Sequence, residues 1–252
     1  VNIVKIGGNI VDNEDALHLF LSTIAQQSPC IIVHGGGKVA TEIANKLGVE
    51  SVMVEGRRIT DKNTLEIATM VYGGLINKKI VAILQSFNTN AIGMTGADAN
   101  CIVAKKRPVK DIDYGYVGDI ELVHTEFLIS CLKQNITPVM ASLTHDKKGS
   151  LLNTNADTIA AQIAMAIAKT ENTRLVYCFE KNGVLADAND NKSVIRTLNA
   201  QTYNELLLSG AIHKGMKPKL ENAFLAKKSG VHKVFICHAD SVHQPEQGTE
   251  IL

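Results

Sequence analysis

The sequence predicts an α/β protein built on a parallel sheet covered by helices. Three observations carry that prediction. Apolar strand patterns alternate with helical patterns from the first residues onward, β-α-β-α, and such crossovers bring the strands back parallel. Cys30-Ile31-Ile32-Val33 is an unbroken apolar run, as expected of a strand buried on both faces. The last third, from Arg174 on, resumes the same alternation.

Taken in order, Asn2-Ile3-Val4-Lys5-Ile6 reads as a strand ending at Gly7-Gly8. Residues 12–27 read as a helix with Leu17, Phe20, Leu21 and Ile24 on one face. Strand 30–33 ends at Gly35-Gly36-Gly37, and helix 38–47 follows. Residues 51–59 form a short hairpin with Gly56 in its turn. Thr60 is expected to cap a long helix running to Phe87, with Gly73-Gly74 as a weak point inside it. Strands are expected over 91–96, 101–105 and 114–123, with Gly115 and Gly118 marking turns, then helix 125–134 and strand 137–141. Residues 155–169 are strongly helical. Strand 174–179, helix 199–209, helix 218–229 and strand 233–237 complete the chain, with Pro218 at the favoured first helical position. No linker or internal repeat interrupts it; a soft boundary at 168–172 separates a lobe over 1–168 from one over 169–252 within one continuous domain.

Composition narrows the function classes. With 45% hydrophobic residues and no low-complexity tract, the 252-residue chain carries enough apolar surface for a core, which excludes disorder. No run of about 18 apolar residues suggests a membrane span, and the first residues lack a secretory pattern. Lys and Arg number 26 against 25 Asp and Glu, so there is no overall field for nucleic acid or membrane. Aromatic residues are few and Trp is absent, which disfavours a base-stacking surface. The five cysteines are odd in number, widely spaced and without a CxxC pair. They read as buried structural thiols in a reducing compartment, the cytoplasm.

Four features could carry chemistry. Lys5 shares a strand face with Ile3, and burying an unpaired ammonium is costly. It is either an edge or snorkelling lysine, or it meets an anion at the carboxyl edge of the sheet, where open α/β folds bind ligands. Gly7-Gly8 and Gly35-Gly36-Gly37 each join a strand to a helix. They serve simple tight turns or offer backbone N–H groups to an anion. Asn153-Thr154-Asn155-Ala156-Asp157 opens an Ala-rich helix; one cap needs fewer polar residues than that, and Asp157 could also orient ammonium groups. Lys219, beside Lys214 and Lys217, follows Pro218 in a first helical turn, where a cation opposes the helix dipole. It is simply exposed or it faces an anionic ligand. Arg58, next to Arg57, could clamp a carboxylate or merely charge a hairpin. Gly210 and Gly215 have Walker spacing, but Met216 replaces the required Lys. Gly35-x-Gly37-x-x-Ala40, with Glu55 downstream, fits a relaxed dinucleotide fingerprint and so an NAD-dependent dehydrogenase. No metal-binding constellation appears among the eight His.

Five stretches in order, Lys5-Ile6-Gly7-Gly8-Asn9, His34-Gly35-Gly36-Gly37, Gly56-Arg57-Arg58-Ile59-Thr60, Asn153-Thr154-Asn155-Ala156-Asp157 and Gly215-Met216-Lys217-Pro218-Lys219, make the chain resemble the amino acid kinase family. The hairpin and the Asn153–Asp157 run favour its acylglutamate branch over relatives such as glutamate 5-kinase. The resemblance spans essentially the whole chain and implies an αβα sandwich with an open, mainly parallel central sheet. It implies transfer of the γ-phosphoryl of ATP, with Mg²⁺, to the side-chain carboxylate of an N-acyl-L-glutamate, N-acetyl by default, in arginine biosynthesis.

In that reading the first lobe binds the acid and forms a homodimer, and the second binds ATP. Lys5 and Lys219 meet the transferring phosphoryl from the two sides, Asp157 organises both, and Gly8 and Gly36 offer N–H groups. Gly36 and Gly37 line the acid site, Arg58 takes the α-carboxylate and Asn153 the amide, with the hairpin as a lid. Glu180, Lys181, Asn182, Gly183, Val184 and Leu185, with Ala211, Ile212 and His213, line the nucleotide site. Glu180 departs from the Asp usual in the family. Members inhibited by arginine carry a helix before the first strand; here the strand starts at Asn2, so the expectation is a dimer without arginine feedback. An extra carboxylate on the acyl group could meet Lys78, Lys79 or Arg107. A non-catalytic ATP or amino acid sensor is the alternative within the fold, against which the retained Lys5, Asp157 and Lys219 argue.

Overall fold

In the computed structural model the protein is described at residues 1–27, 29–54, 57–187, 189–208, 212 and 216–252. Its strands are β1 (Asn2–Ile6), β2 (Ile31–His34), β3 (Met53–Val54), β4 (Arg57–Arg58), β5 (Ala91–Met94), β6 (Ile102–Lys106), β7 (Gly118–Val123), β8 (Thr137–Ala141), β9 (Leu143–His145), β10 (Leu151–Asn153), β11 (Arg174–Phe179), β12 (Thr197–Leu198), β13 (Lys233–His238) and β14 (Thr249–Ile251). The α-helices are α1 (Gly8–Val11), α2 (Glu14–Ala25), α3 (Gly37–Lys46), α4 (Lys62–Ala68), α5 (Asn77–Ser86), α6 (Glu126–Lys133), α7 (Ala156–Ile167), α8 (Ala200–Leu208) and α9 (Lys217–Lys228).

The central sheet has eight strands in the order β12-β14-β13-β11-β1-β2-β8-β5. Only the β13–β14 step is antiparallel. Apolar residues therefore point to both faces and build two cores. On β1, Ile3 joins the core under α7 and α9, while Val4 and Ile6 join the core under α2, α3 and α5. A second, four-stranded sheet, β10-β9-β6-β7, is entered from β8 through Ser142, and β3–β4 is a separate hairpin. This is the sandwich and mainly parallel sheet the sequence predicts.

Departures from the sequence reading are local. Asp61, not Thr60, caps the long helix: its side chain accepts from the Thr64 N–H. The Thr60 hydroxyl instead donates to the Arg58 carbonyl and accepts from Asn153. The expected weak point at Gly73-Gly74 is a π-helical stretch, Thr69–Ile76, joining α4 to α5 without a break. The continuous helix Lys62–Ser86 is long and apolar enough to cross a membrane, yet Ile67, Val71, Tyr72, Ile76, Ile80 and Leu84 bury one side of it in the core. The short α1 and the strands β9, β10, β12 and β14 escape sequence reading, because two to four residues hold too little periodicity. Gly56, the expected turn of the hairpin, lies outside the described residues, as do Glu55, Lys214 and Gly215. All five cysteines are free and buried.

Candidate active site

Strand β1 delivers Lys5 to the carboxyl edge of the sheet, one residue from its end. Directly after it Gly7 packs so tightly that a Cβ would stand 2.8 Å from the Cys178 carbonyl oxygen, so no larger residue fits. Helix α7 crosses the same face. Its buried Ala156, Ala160, Ala161 and Ala164 let the helix axis approach the sheet closely. Asn155 caps α7, its Oδ1 accepting from the N–H groups of Asp157 (2.8 Å) and Thr158 (3.1 Å). That cap sets Asp157 in the first turn, over Lys5. Helix α9 packs against α7 and brings Lys219 from the other side.

The three charged groups meet. Lys5 Nζ lies 2.8 Å from Asp157 Oδ1, and Lys219 Nζ lies 3.3 and 3.4 Å from the two carboxylate oxygens. Their side chains are 10%, 9% and 14% exposed for Lys5, Lys219 and Asp157. Burial alone would raise the Asp157 carboxyl, but the Lys219 and Lys5 ammonium groups outweigh it and hold it well below the usual carboxylate range. Burial depresses Lys219; Asp157 opposes that shift and Lys5 adds to it. Lys219 also sits over the rings of Tyr177 and Phe179, 5.4 and 5.6 Å from their centroids. The Tyr177 hydroxyl donates to the Asp157 carbonyl at 3.0 Å. Burial, then Asp157, raises this phenol far above its ordinary value, so it stays neutral. Two buried cations share one carboxylate. Within the triad one positive charge is left over, which suits the site to an anion.

A cavity of about 260 Å³ opens beside this triad. Lys5, Gly8, Gly36, Gly37, Arg58, Asn153 and Asp157 all line it. Gly36 has φ +156°, and a Cβ there would stand 2.1 Å from Ile76 Cδ1, so the loop closes only with glycine. Arg58 Nη2 donates to the Gly37 carbonyl (2.8 Å) and Thr41 Oγ1 (2.7 Å), and Nη1 to Ser51 Oγ (2.6 Å). Those bonds tie the hairpin to the N-terminus of α3 and hold the guanidinium at the cavity wall. Asn153 Nδ2 donates to Thr60 Oγ1 at 3.1 Å.

Tyr72 and Ser142 also line the cavity and were not singled out in the sequence. Tyr72 arrives from the π-helical stretch and Ser142 from the junction of β8 and β9, and no local pattern marks either. Of the three cations considered for an acyl carboxylate, Lys78 donates to the Gly93 carbonyl and Lys79 pairs with Glu14. Arg107 alone of these reaches the cavity wall, paired to Asp119 through Nε and Nη2. Its Nη1 is buried and has no hydrogen-bond partner among the described residues. Arg107 also borders a second concavity of about 520 Å³ with Lys105, Lys110 and Tyr114.

The residues expected on the nucleotide side follow β11. Glu180 is exposed and close enough to Lys219 to favour its charge. Lys181 and Asn182 bond to Asn191. Gly183 abuts Thr249, whose hydroxyl accepts from the Val184 N–H at 2.8 Å, and Val184 and Leu185 are buried. Ile212 is half-buried; Ala211 and His213 lie outside the described residues. Among the described residues no group of three or more His, Cys, Asp and Glu could hold a metal ion.

Both the sequence and the fold of this chain match a known family. The sequence pattern of the amino acid kinase family covers residues 1–238, and the chain belongs to that family. It is 58% identical over 242 residues to the acetylglutamate kinase of Cytophaga hutchinsonii, covering 95% of this chain and 92% of that one. It is 53% identical to the acetylglutamate kinase of Phocaeicola vulgatus, covering 97% of this chain and 95% of the relative. Among solved structures, smu.665 from Streptococcus mutans superposes with a TM-score of 0.81 at 26% identity, over 99% of this chain and 97% of the other. The chain is thus a kinase, and its family uses ATP. The dehydrogenase reading of Gly35-x-Gly37-x-x-Ala40 falls with that assignment.

Proposed function

We propose that the protein transfers the γ-phosphoryl group of ATP to the side-chain carboxylate of an N-acyl-L-glutamate, N-acetyl-L-glutamate by default, giving an acyl phosphate in arginine biosynthesis. The observation that carries the reading is the buried Lys5–Asp157–Lys219 triad with its surplus positive charge, at the head of a cavity sized for a small acid. Near-full-length identity to acetylglutamate kinases supports the choice of acid.

The chemistry brings two anions together, so the protein must position them and neutralise charge; a general base is not required. Arg58 binds the α-carboxylate of the acid and Asn153 its amide, leaving the side-chain carboxylate facing Lys5. Lys5 meets the transferring phosphoryl from the acid side and Lys219 from the nucleotide side. Gly8 and Gly36 offer N–H groups to its oxygens. Asp157 fixes both ammonium groups and touches neither reactant. ATP would be taken as its Mg²⁺ complex, in which the metal would supply further charge neutralisation. Residues 180–185 and 211–213 receive the nucleotide, in a lobe over 169–252; the lobe over 1–168 holds the acid. Met70 and Leu75, exposed on the long helix of the first lobe, support a homodimer there. Five free, buried thiols fit a cytoplasmic enzyme.

A second reading concerns the acyl group. Arg107, a cation lining the cavity, favours an acyl chain that ends in a carboxylate. Turnover with MgATP and hydroxylamine, comparing L-glutamate, N-acetyl-L-glutamate and N-succinyl-L-glutamate, decides both points. Hydroxamate from one acylated glutamate establishes the reaction and names the acyl group. No hydroxamate from any, with ATP still bound, leaves the sensor alternative.

A further inference from the structure

The sequence motif His34-Gly35-Gly36-Gly37 opens on a side chain that has no part in the mechanism above. His34 is fully buried at the end of β2, and its two ring nitrogens have different partners. Nδ1 lies 2.9 Å from the Gly35 carbonyl oxygen, and Nε2 lies 3.0 Å from Asn77 Nδ2.

The orientation of Asn77 decides which nitrogen carries the proton. Its Nδ2 also donates to the Val139 carbonyl at 2.9 Å, and its Oδ1 accepts from Lys78 Nζ at 3.2 Å. Turning the amide over would set an oxygen against the Val139 carbonyl and an NH₂ against an ammonium. Asn77 Nδ2 is therefore the donor to Nε2, and Nδ1 carries the hydrogen that bonds Gly35. Burial holds the imidazole near a pKa of about 4, the Gly35 bond opposing, so the ring is neutral near pH 7 and keeps this one-donor, one-acceptor form.

The Gly35 carbonyl belongs to the same planar peptide as the Gly36 N–H, and no peptide bond among the described residues is cis. In a trans peptide the N–H points opposite to the carbonyl. A carbonyl held towards the buried imidazole leaves the Gly36 N–H on the side away from the ring, and Gly35, Gly36 and Gly37 all line the cavity. The π-helical stretch closes the arrangement: it lays Tyr72 and Ile76 against Gly36 and starts α5 at Asn77.

We propose that His34 is a positioning residue for phosphoryl transfer: through the relay Asn77–His34–Gly35 it fixes the Gly35–Gly36 peptide so that the Gly36 N–H faces the transferring group. The proposal rests on the kinase reading, in which that N–H is a donor to the phosphoryl oxygens.

Two measurements on the full chain test it. In a long-range ¹H–¹⁵N spectrum of the wild-type protein at pH 7, His34 should show a protonated Nδ1 and an unprotonated Nε2. The opposite tautomer overturns the relay whether or not the substrate is correctly assigned. Kinetically, His34→Leu should lower kcat by about 100-fold, the cost of one misdirected donor, with KM for the acid changed by less than about 3-fold. His34→Asn, whose amide can place an N–H close to the former Nδ1, should regain about 10-fold of the loss. Asn77→Leu should lose about 10-fold. Matched thermal unfolding curves separate these effects from misfolding, and if His34→Leu does not fold, Asn77→Leu and the tautomer decide. Turnover of His34→Leu within about 3-fold of wild type, or a folded His34→Asn no faster than His34→Leu, overturns the proposal. A wild-type chain inactive on every acylated glutamate instead marks failure of the substrate assignment.

Discussion

Lys5 Nζ and Asp157 Oδ1 stand 2.8 Å apart at the carboxyl edge of the sheet, a short contact between the end of a central strand and the first turn of the helix that covers it. The pair is incomplete as an energetic unit, because Lys219 uses the same carboxylate from the opposite side. With a phosphoryl group between the two ammonium groups the charges balance. Lys5→Ala and Lys219→Ala should each lower kcat by about 100-fold or more while moving KM by only a few-fold, the pattern of groups whose contact matures in the transition state. Steady-state kinetics with the hydroxamate assay give both constants; unchanged turnover in either variant removes that lysine from the mechanism.

Asp157→Asn leaves two buried ammonium groups without an anion. Removing one partner of a buried ion pair costs about 3–5 kcal/mol, so urea unfolding should show a loss of that order. Added ATP should restore part of it, since its phosphates supply negative charge. The pH dependence has a definite sign. The folded-state pKa of Asp157 lies below that of the unfolded chain, so its stabilisation is complete above the unfolded value of about 4 and is lost as pH falls from there towards the folded value. Acid unfolding of wild type should be steeper than that of Asp157→Asn in this range. Superimposable slopes would show that the carboxylate does not hold the lysines.

How far the sequence discloses this site follows from what each residue depends on. Lys5, Gly8, Gly36 and Asp157 sit at ends of elements, where apolar runs, glycines and caps mark them in a few consecutive residues. Their meeting at one edge follows from parallel topology, which the β-α-β-α order already implies. Tyr72 is different. The π-helical stretch decides which way it points, and that stretch reads in sequence only as two glycines in a helix. The capping shift from Thr60 to Asp61 has a similar origin: the Thr60 backbone and hydroxyl are engaged by Tyr114, Tyr116 and Asn153, distant partners that no window of sequence contains.

Arg58→Ala should act on the acid and not on the nucleotide. The guanidinium lies at the cavity wall, fastens the hairpin to α3 through Gly37 and Thr41, and bonds Ser51 within the hairpin segment. Its removal takes away a charge-assisted contact and loosens the wall, so KM for the acid should rise by about 10- to 100-fold with KM for ATP nearly constant. Initial rates with each substrate varied in turn separate the two. A change confined to the ATP constant would place Arg58 in the other half of the site.

Lys219 offers a test in which activity and stability move in opposite directions. Burial lowers its pKa, so the unfolded chain holds the proton up to about pH 10.4 while the folded chain releases it earlier. Between those two values the unfolded state binds more protons, and the contribution of this group to stability rises with pH. In the proposed role Lys219 acts as an ammonium, so kcat/KM for MgATP, which reports the free enzyme, should fall in the same window. Lys219→Arg keeps a positive charge throughout the accessible range. The longer, planar group fits imperfectly over Tyr177 and Phe179, so its maximum rate should be lower, but the basic limb of its profile should vanish. If the limb persists unchanged in Lys219→Arg, another group sets it, and Lys5, on the other side of Asp157, is the next to replace.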